Sequence, residues 1–145
     1  MFSNFHAFSD NFPTMIQQLL PHLAGFSIER VTIADDVITI VAQSQTASAA
    51  CPDCAGVSSR VHSRYIRHLA DLPWGRRAIR LILQVRRFFC TRWTCARKTF
   101  AEALPGITER YARQTLQLKE ALIQLGLALG GEAGALARNS IEASL

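Results

Sequence analysis

The stretch RRFFCTRWTC (residues 86–95) places Cys90 and Cys95 with four residues between them, among arginines and aromatics. An earlier stretch, CPDC (residues 51–54), places Cys51 and Cys54 with two residues between them. These four are all the cysteines in the 145-residue chain, and 35 residues, 55–89, lie between the two pairs. A zinc ion takes four ligands at the corners of a tetrahedron, with Zn–S near ~2.3 Å. One tight turn presents two thiolates to one side of such an ion, and a second turn closes the site if a hairpin brings the two together. The spacing predicts that arrangement, with Cys51, Cys54, Cys90 and Cys95 as ligands of one Zn2+. Four protein ligands leave no open position, so the metal is expected to be structural.

Other uses of the cysteines are open at this point. CPDC has the CxxC form of thiol oxidoreductases, but those motifs open a helix after a buried strand. Here QTASAA precedes and AGVSSR follows. Four unrelated buried thiols would leave the pairing unexplained. His62 and His68 are alternative ligands, read as strand residues on the surface or against phosphate.

The segment between and around the cysteines is strongly basic. The chain carries net +5, yet residues 60–98 hold eleven basic residues against Asp71, which is +10. Residues 1–59 come to −4 and residues 99–145 to −1. Solvated faces ordinarily mix signs. A one-sign segment attracts polyanions, with DNA the default candidate. Ten of its eleven cations are arginine, which makes bidentate phosphate and guanine contacts that lysine does not. Arg76, Arg77, Arg80, Arg86 and Arg87 are the predicted DNA contacts. Tyr65, Trp74, Phe88, Phe89 and Trp93 are expected to pack in the core and the knuckles rather than to stack on bases.

Hydrophobic content of 49% suffices for a core. The sequence predicts an α+β fold in three parts. Residues 1–46 form a helix plus β-hairpin unit, with a helix near 13–23 that Pro21 interrupts and a hairpin turning at Asp35-Asp36. Residues 47–104 form a zinc-ribbon-like basic β domain. In it VHSRYIRHL is a strand, LPWG a turn, and AIRLILQV a strand with Ile79, Leu81, Leu83 and Val85 on one face. Residues 105–145 are helical, capped by Thr108, with Tyr111, Leu118, Leu122, Leu125 and Leu129 on one stripe and Gly130-Gly131 at the end. EAGALARNSIEASL begins a further helical pattern and then loses its period. The first basic residue is Arg30, so a secretory leader is not expected, and no stretch is apolar enough to span a bilayer. The reading is a cytoplasmic protein with no membrane partner.

Together CPDC, RVHSRYIRHLADLPW, VRRFFCTRWTC, ARKTFAEALPG and LGGEAGALA resemble the amino-terminal part of bacterial ISL-three family insertion-sequence transposases, over about residues 14–137. The resemblance implies that the cysteine block is a zinc-binding domain with those four ligands. It implies a following helix-turn-helix, which residues 105–145 would begin, and then a large RNase H-like catalytic domain with three acidic residues. It also implies action on DNA at the element's terminal inverted repeats. Ala55 stands where the family commonly has glycine, and RNSIEASL departs from the expected continuation. The expectation is a truncated, DNA-binding, non-enzymatic chain, since no set of carboxylates suits two-metal chemistry. The alternative is a zinc-stabilised interaction module, as a homodimer or against an intact transposase, including a regulator that competes with the intact enzyme.

Overall fold

A computed structural model describes residues 12–130, with side chains from residue 15 onward. The helical pattern expected over 132–145 lies outside the described residues. Helix α1 (Phe12–Leu19) is followed by a 3-10 turn (Pro21–Leu23). Pro21 has no N–H to continue the helix, so the single expected helix is split there. Strands β1 (Phe26–Ala34) and β2 (Val37–Ser44) form the expected hairpin. Its turn is reached through Asp35 at φ 51°, a left-handed conformation that aspartate tolerates better than most residues.

Short strands β3 (Ala49–Ala50) and β4 (Val57–Ser58) flank the first cysteine pair. Strand β5 (Val61–Trp74) then pairs antiparallel with β6 (Arg77–Phe89), and β7 (Thr99–Ala101) returns along the end of β6. LPWG is not the turn. Strand β5 runs on to Trp74, and Gly75, at φ 60°, makes the reversal with Arg76. Helix α2 (Leu116–Leu129) closes the described chain.

The main sheet has the order β1-β2-β6-β5, with β7 on β6 and with β2 and β6 parallel. The boundary expected after residue 46 therefore runs through a continuous sheet. Ile38 pairs with Ile79 and Ile40 with Leu81, so the N-terminal hairpin and the basic hairpin share one ladder. They also share one core. Ile38, Ile40 and Ala42 of β2, Leu69 of β5, and Ile79, Leu81, Leu83 and Val85 of β6 are buried on one face. Ile16, Leu20 and Leu23 pack over them. The apolar face predicted for β6 is this core. Strand β6 is central, and its residues alternate between this buried apolar face and a half-buried face that carries Arg80, Gln84 and Arg86.

The C-terminal part differs from its sequence reading in a definite way. Residues 105–114 are turns, not helix, and Thr115 caps α2 by accepting from the Leu118 N–H at 3.2 Å. Thr108 instead donates its hydroxyl to the Gln114 carbonyl at 2.8 Å. Residues 113–115 lie along the edge of β5, with Thr115 N–H to Ala70 O and Ala70 N–H to Arg113 O, both 2.9 Å. Leu118 and Leu122 are buried, and Leu129 is exposed.

Asp71 joins the three parts. It is 1% exposed. His22 Nε2 lies 2.9 Å from Oδ2, and the Thr115 hydroxyl donates to Oδ1 at 2.6 Å. A carboxylate only accepts, so His22 Nε2 carries the proton. Burial raises the pKa of Asp71, but the hydrogen bonds from His22 and Thr115 outweigh it and hold the group below the usual carboxylate range. One side chain thus ties the N-terminal turn, the basic hairpin and the α2 cap.

Asp71→Asn is expected to lower stability by about 2–4 kcal/mol, because buried partners are left poorly matched. The folded pKa lies below the unfolded one, so this contribution is present above about pH 4 and is lost as pH falls through the folded value. Urea unfolding across pH should show the gap between wild type and variant closing in acid. A gap that stays constant into strong acid contradicts this role.

Candidate metal centre

The first cysteine turn is built by backbone hydrogen bonds. Cys51 N–H donates to Gly56 O, and Ala55 N–H to Cys51 O, each at 2.9 Å. This brings Cys51 and Cys54 to one side of the turn and forces Ala55 to φ 56°, in the left-handed region. The glycine expected at that position would adopt this conformation without a Cβ clash. Gly56 is constrained by space. A Cβ there would sit 3.3 Å from Cys54 Sγ and 3.4 Å from Arg92 Cγ.

The second turn starts where β6 ends. Cys90 N–H donates to Lys98 O at 2.9 Å, Cys95 N–H to Arg92 O at 3.1 Å, and Lys98 Nζ to Cys95 O at 3.3 Å. The β6–β7 pairing holds the base of this loop, with Phe88 opposite Phe100. Those two rings stack at 5.9 Å between centroids and, with Cys51 and Cys95, form a second small core.

The four sulfurs lie within 4.8 Å of one another, and Cys54 Sγ and Cys90 Sγ are 3.6 Å apart. Two pairs separated by 35 intervening residues are thus gathered as the spacing predicted. Neither His62 nor His68 joins them. His62 Nδ1 lies 2.9 Å from Ser63 Oγ, and its ring meets Phe89 edge-on at 4.8 Å.

The electrostatics suit a cation. Burial opposes ionisation of Cys51, but the Asp53 and Cys54 backbone N–H groups and the neighbouring thiols lower its pKa to about 7. The Arg92 N–H favours the thiolate at Cys90, yet burial and the other sulfurs push it up to about 12. Cys95 is also raised, against its own Arg97 N–H bond, by burial and by Cys54. One thiolate is easily accommodated, and further ones repel it. A divalent ion removes that repulsion and takes all four sulfurs as thiolates. The donor set, four sulfurs with no carboxylate or imidazole, is that of a closed structural zinc site.

The predicted DNA-contact arginines are not equivalent. Arg76 and Arg77 are exposed at the hairpin tip, and Arg87 is exposed near the zinc end with its guanidinium 5.9 Å from the Tyr65 ring. Arg80 is half-buried. Arg86 is held inside the protein. It makes a two-pronged pair with Glu102, at 2.7 Å to Oε1 and 3.1 Å to Oε2, and Thr46 also donates to that carboxylate. Burial raises the pKa of Glu102, and Arg86 with Ser44 and Thr46 brings it below the ordinary carboxylate value. Of the aromatics expected to pack, Phe88 is fully buried, but Trp93 in the second cysteine loop is 89% exposed.

Ala55→Gly is expected to stabilise the zinc-bound protein by about 1 kcal/mol, read from urea unfolding, because it relieves a left-handed alanine. Gly56→Ala is expected to weaken metal retention by crowding Cys54 Sγ. Chelation is expected to act locally, as the two cores are distinct. Hydrogen exchange should accelerate at the amides of Cys51, Ala55, Cys90 and Cys95 and stay slow at Ile40 and Leu81. Equal acceleration throughout would show that the metal supports the whole sheet.

Comparison with known proteins agrees with the site. Residues 47–97 match a family model described as the zinc-finger of transposase IS204/IS1001/IS1096/IS1165, a span that contains all four cysteines. No curated protein and no solved structure gave a match to the chain. None of the described helices is long and apolar enough to cross a membrane. Residues 47–97 thus match the zinc ribbon of the IS204/ISL3-type transposases, and the four cysteines they contain are positioned to bind a metal ion.

Proposed function

We propose that this chain is a DNA-binding domain of a transposase-type protein, directed at the terminal inverted repeats of an insertion element. One observation carries the reading. The single carboxylate in residues 60–98, Asp71, is buried and hydrogen-bonded, so the charge that segment shows to solvent is entirely positive. The acids nearest in sequence are engaged as well, Asp53 with Arg97 at 2.8 Å and Glu102 with Arg86. Arg60, Arg64, Arg76, Arg77, Arg87 and Arg92 are exposed.

Their placement suits a duplex. Strand β6 has 13 residues, so Arg77 at the tip stands about 40 Å from the zinc end at ~3.3 Å per residue. One turn of B-DNA is about 34–36 Å. Guanidiniums at the tip and at the zinc end can therefore meet phosphates about one turn apart, with the rigid sheet between them. Arg76, Arg77 and Arg87 are the leading contacts. Arg80 contributes less because it is half-buried, and Arg86 acts through the fold by anchoring β7. Among the described residues the only cluster suited to a metal ion is the cysteine one. The role proposed for this chain is binding, not strand cleavage.

A second reading has its own observation. Ile123, Leu127 and Leu129 of α2 are exposed, which favours an interaction module. Light scattering that gives a dimer, with no DNA shift, would select it.

Binding to an end-sequence duplex is expected to weaken steeply with salt, as each neutralised phosphate releases counterions. Replacing both Arg76 and Arg77 with alanine should reduce the slope of log K against log salt by about 2. Affinity that does not change between about 50 and 200 mM salt excludes the reading.

A further inference from the structure

A cleft of about 640 Å³ opens between the zinc end of the sheet and the 105–111 segment. Tyr65, Arg67, Arg87, Arg97, Arg110 and Tyr111 are on its walls. Its charge is one-sided. The two carboxylates that line it are already engaged, Glu102 by Arg86 and Glu109 by Lys119 at 2.7 Å. Arg87 and Arg110 are exposed, and each guanidinium lies over a tyrosine ring, 5.9 Å from Tyr65 and 4.9 Å from Tyr111.

Tyr111 is the unusual residue. It has φ 66°, and its side chain is 82% exposed. A bulky residue in the left-handed region costs about 1 kcal/mol or more. Burial within the chain does not offset that strain, since the ring is almost wholly in solvent. The conformation is nonetheless fixed. Arg67 donates to Ala112 O at 2.5 Å and to Glu109 O at 3.3 Å, clamping the turn that presents Tyr111 at the cleft. An aromatic ring held out in a strained, clamped turn beside exposed guanidiniums suits a nucleic-acid base with its phosphate.

We propose that this cleft receives an unpaired nucleotide at a DNA end, with the base stacked on a tyrosine ring and the phosphates on Arg87 and Arg110. The inference rests on the DNA-binding reading and adds a preference that duplex contacts alone do not supply. Stacking tolerates any base, because every base has a π-face. Arg87 belongs to both surfaces and marks where the duplex path meets the cleft.

The test compares a blunt duplex with the same duplex carrying an overhang of about four nucleotides, by fluorescence anisotropy on the full zinc-loaded chain. The overhang is expected to improve affinity about tenfold, the value of one stacked base. Tyr111→Ala and Arg110→Ala should each bring the overhang-to-blunt ratio close to one, with zinc content retained. Arg76→Ala should weaken both DNAs alike and leave the ratio intact. A wild-type ratio near one, or a gain that survives both cleft substitutions, overturns the cleft and leaves duplex binding standing. A chain that binds neither DNA overturns both.

Discussion

Four sulfurs within 4.8 Å of one another are a constraint that the polypeptide cannot satisfy alone. Burial and the competition of neighbouring sulfurs for hydrogen bonds separate them, with Cys51 lowered to about 7 by backbone N–H groups and adjacent thiols and Cys90 pushed up to about 12, and as thiolates together they would repel. A zinc ion resolves that repulsion, contributing on the order of 10–16 kcal/mol in small zinc-binding peptides. Much of the surrounding architecture serves this gathering. The backbone bonds of the two turns, the β6–β7 pairing and the Phe88–Phe100 stack all bring the 51–54 loop against the 90–95 loop. The ribbon also has a rigid base, because β6 leads from the metal directly into the centre of the main sheet.

Two buried carboxylates complete what the metal begins. Asp71 holds the hairpin to the N-terminal turn and to the α2 cap, and Glu102 holds β7 to Arg86 and to Thr46 of the connecting segment. Each is stabilised as an anion by donors that surround it. This arrangement has an electrostatic consequence. Negative charge in the basic region is drawn into the interior, and positive charge is left outside. Folding therefore sharpens the asymmetry that the sequence already carries. The charge that residues 60–98 show to solvent is therefore of one sign, although Arg86 and Arg97 are taken up by Glu102 and Asp53.

What could be read in advance followed from local rules. The metal site was legible because ligand spacing reports on chelation, whatever the fold around it. The β1–β2 hairpin and the buried face of β6 were legible from alternation between apolar and polar residues. The parallel β2–β6 pairing was not. It joins residues about 40 positions apart, such as Ile40 and Leu81, and strand pattern does not specify a distant partner. That pairing is why the expected domain boundary at residue 46 disappears into one sheet. The α2 cap was misplaced because Thr108 and Thr115 both satisfy the local cap rule. Choosing between them required Asp71, which accepts from Thr115 across the fold. Asp71 itself looked isolated among arginines, since nothing near it in sequence suggests His22. Trp93 was misread because aromatic content predicts burial, and the loop that zinc closes is too short to cover its own indole.

The two strained non-glycine residues near the basic end differ in a way that bears on function. Ala55 sits at φ 56° in the turn closed by its N–H bond to Cys51 O, where a bound metal would compensate the strain. Its strain is accounted for within the zinc ribbon. Tyr111 sits at φ 66° in a turn that Arg67 clamps, with no metal at hand and its ring in solvent. Glycine or asparagine would make that turn at lower cost and bury as little surface. Among the described residues nothing covers that ring, which raises the question of what it would meet. The surroundings narrow the answer. Arg110 and Arg87 supply positive charge, Tyr65 supplies a second ring, and the nearby carboxylates are neutralised by other partners. Anionic and flat is the description of a nucleotide, and its place is beside the surface on which a duplex would already lie.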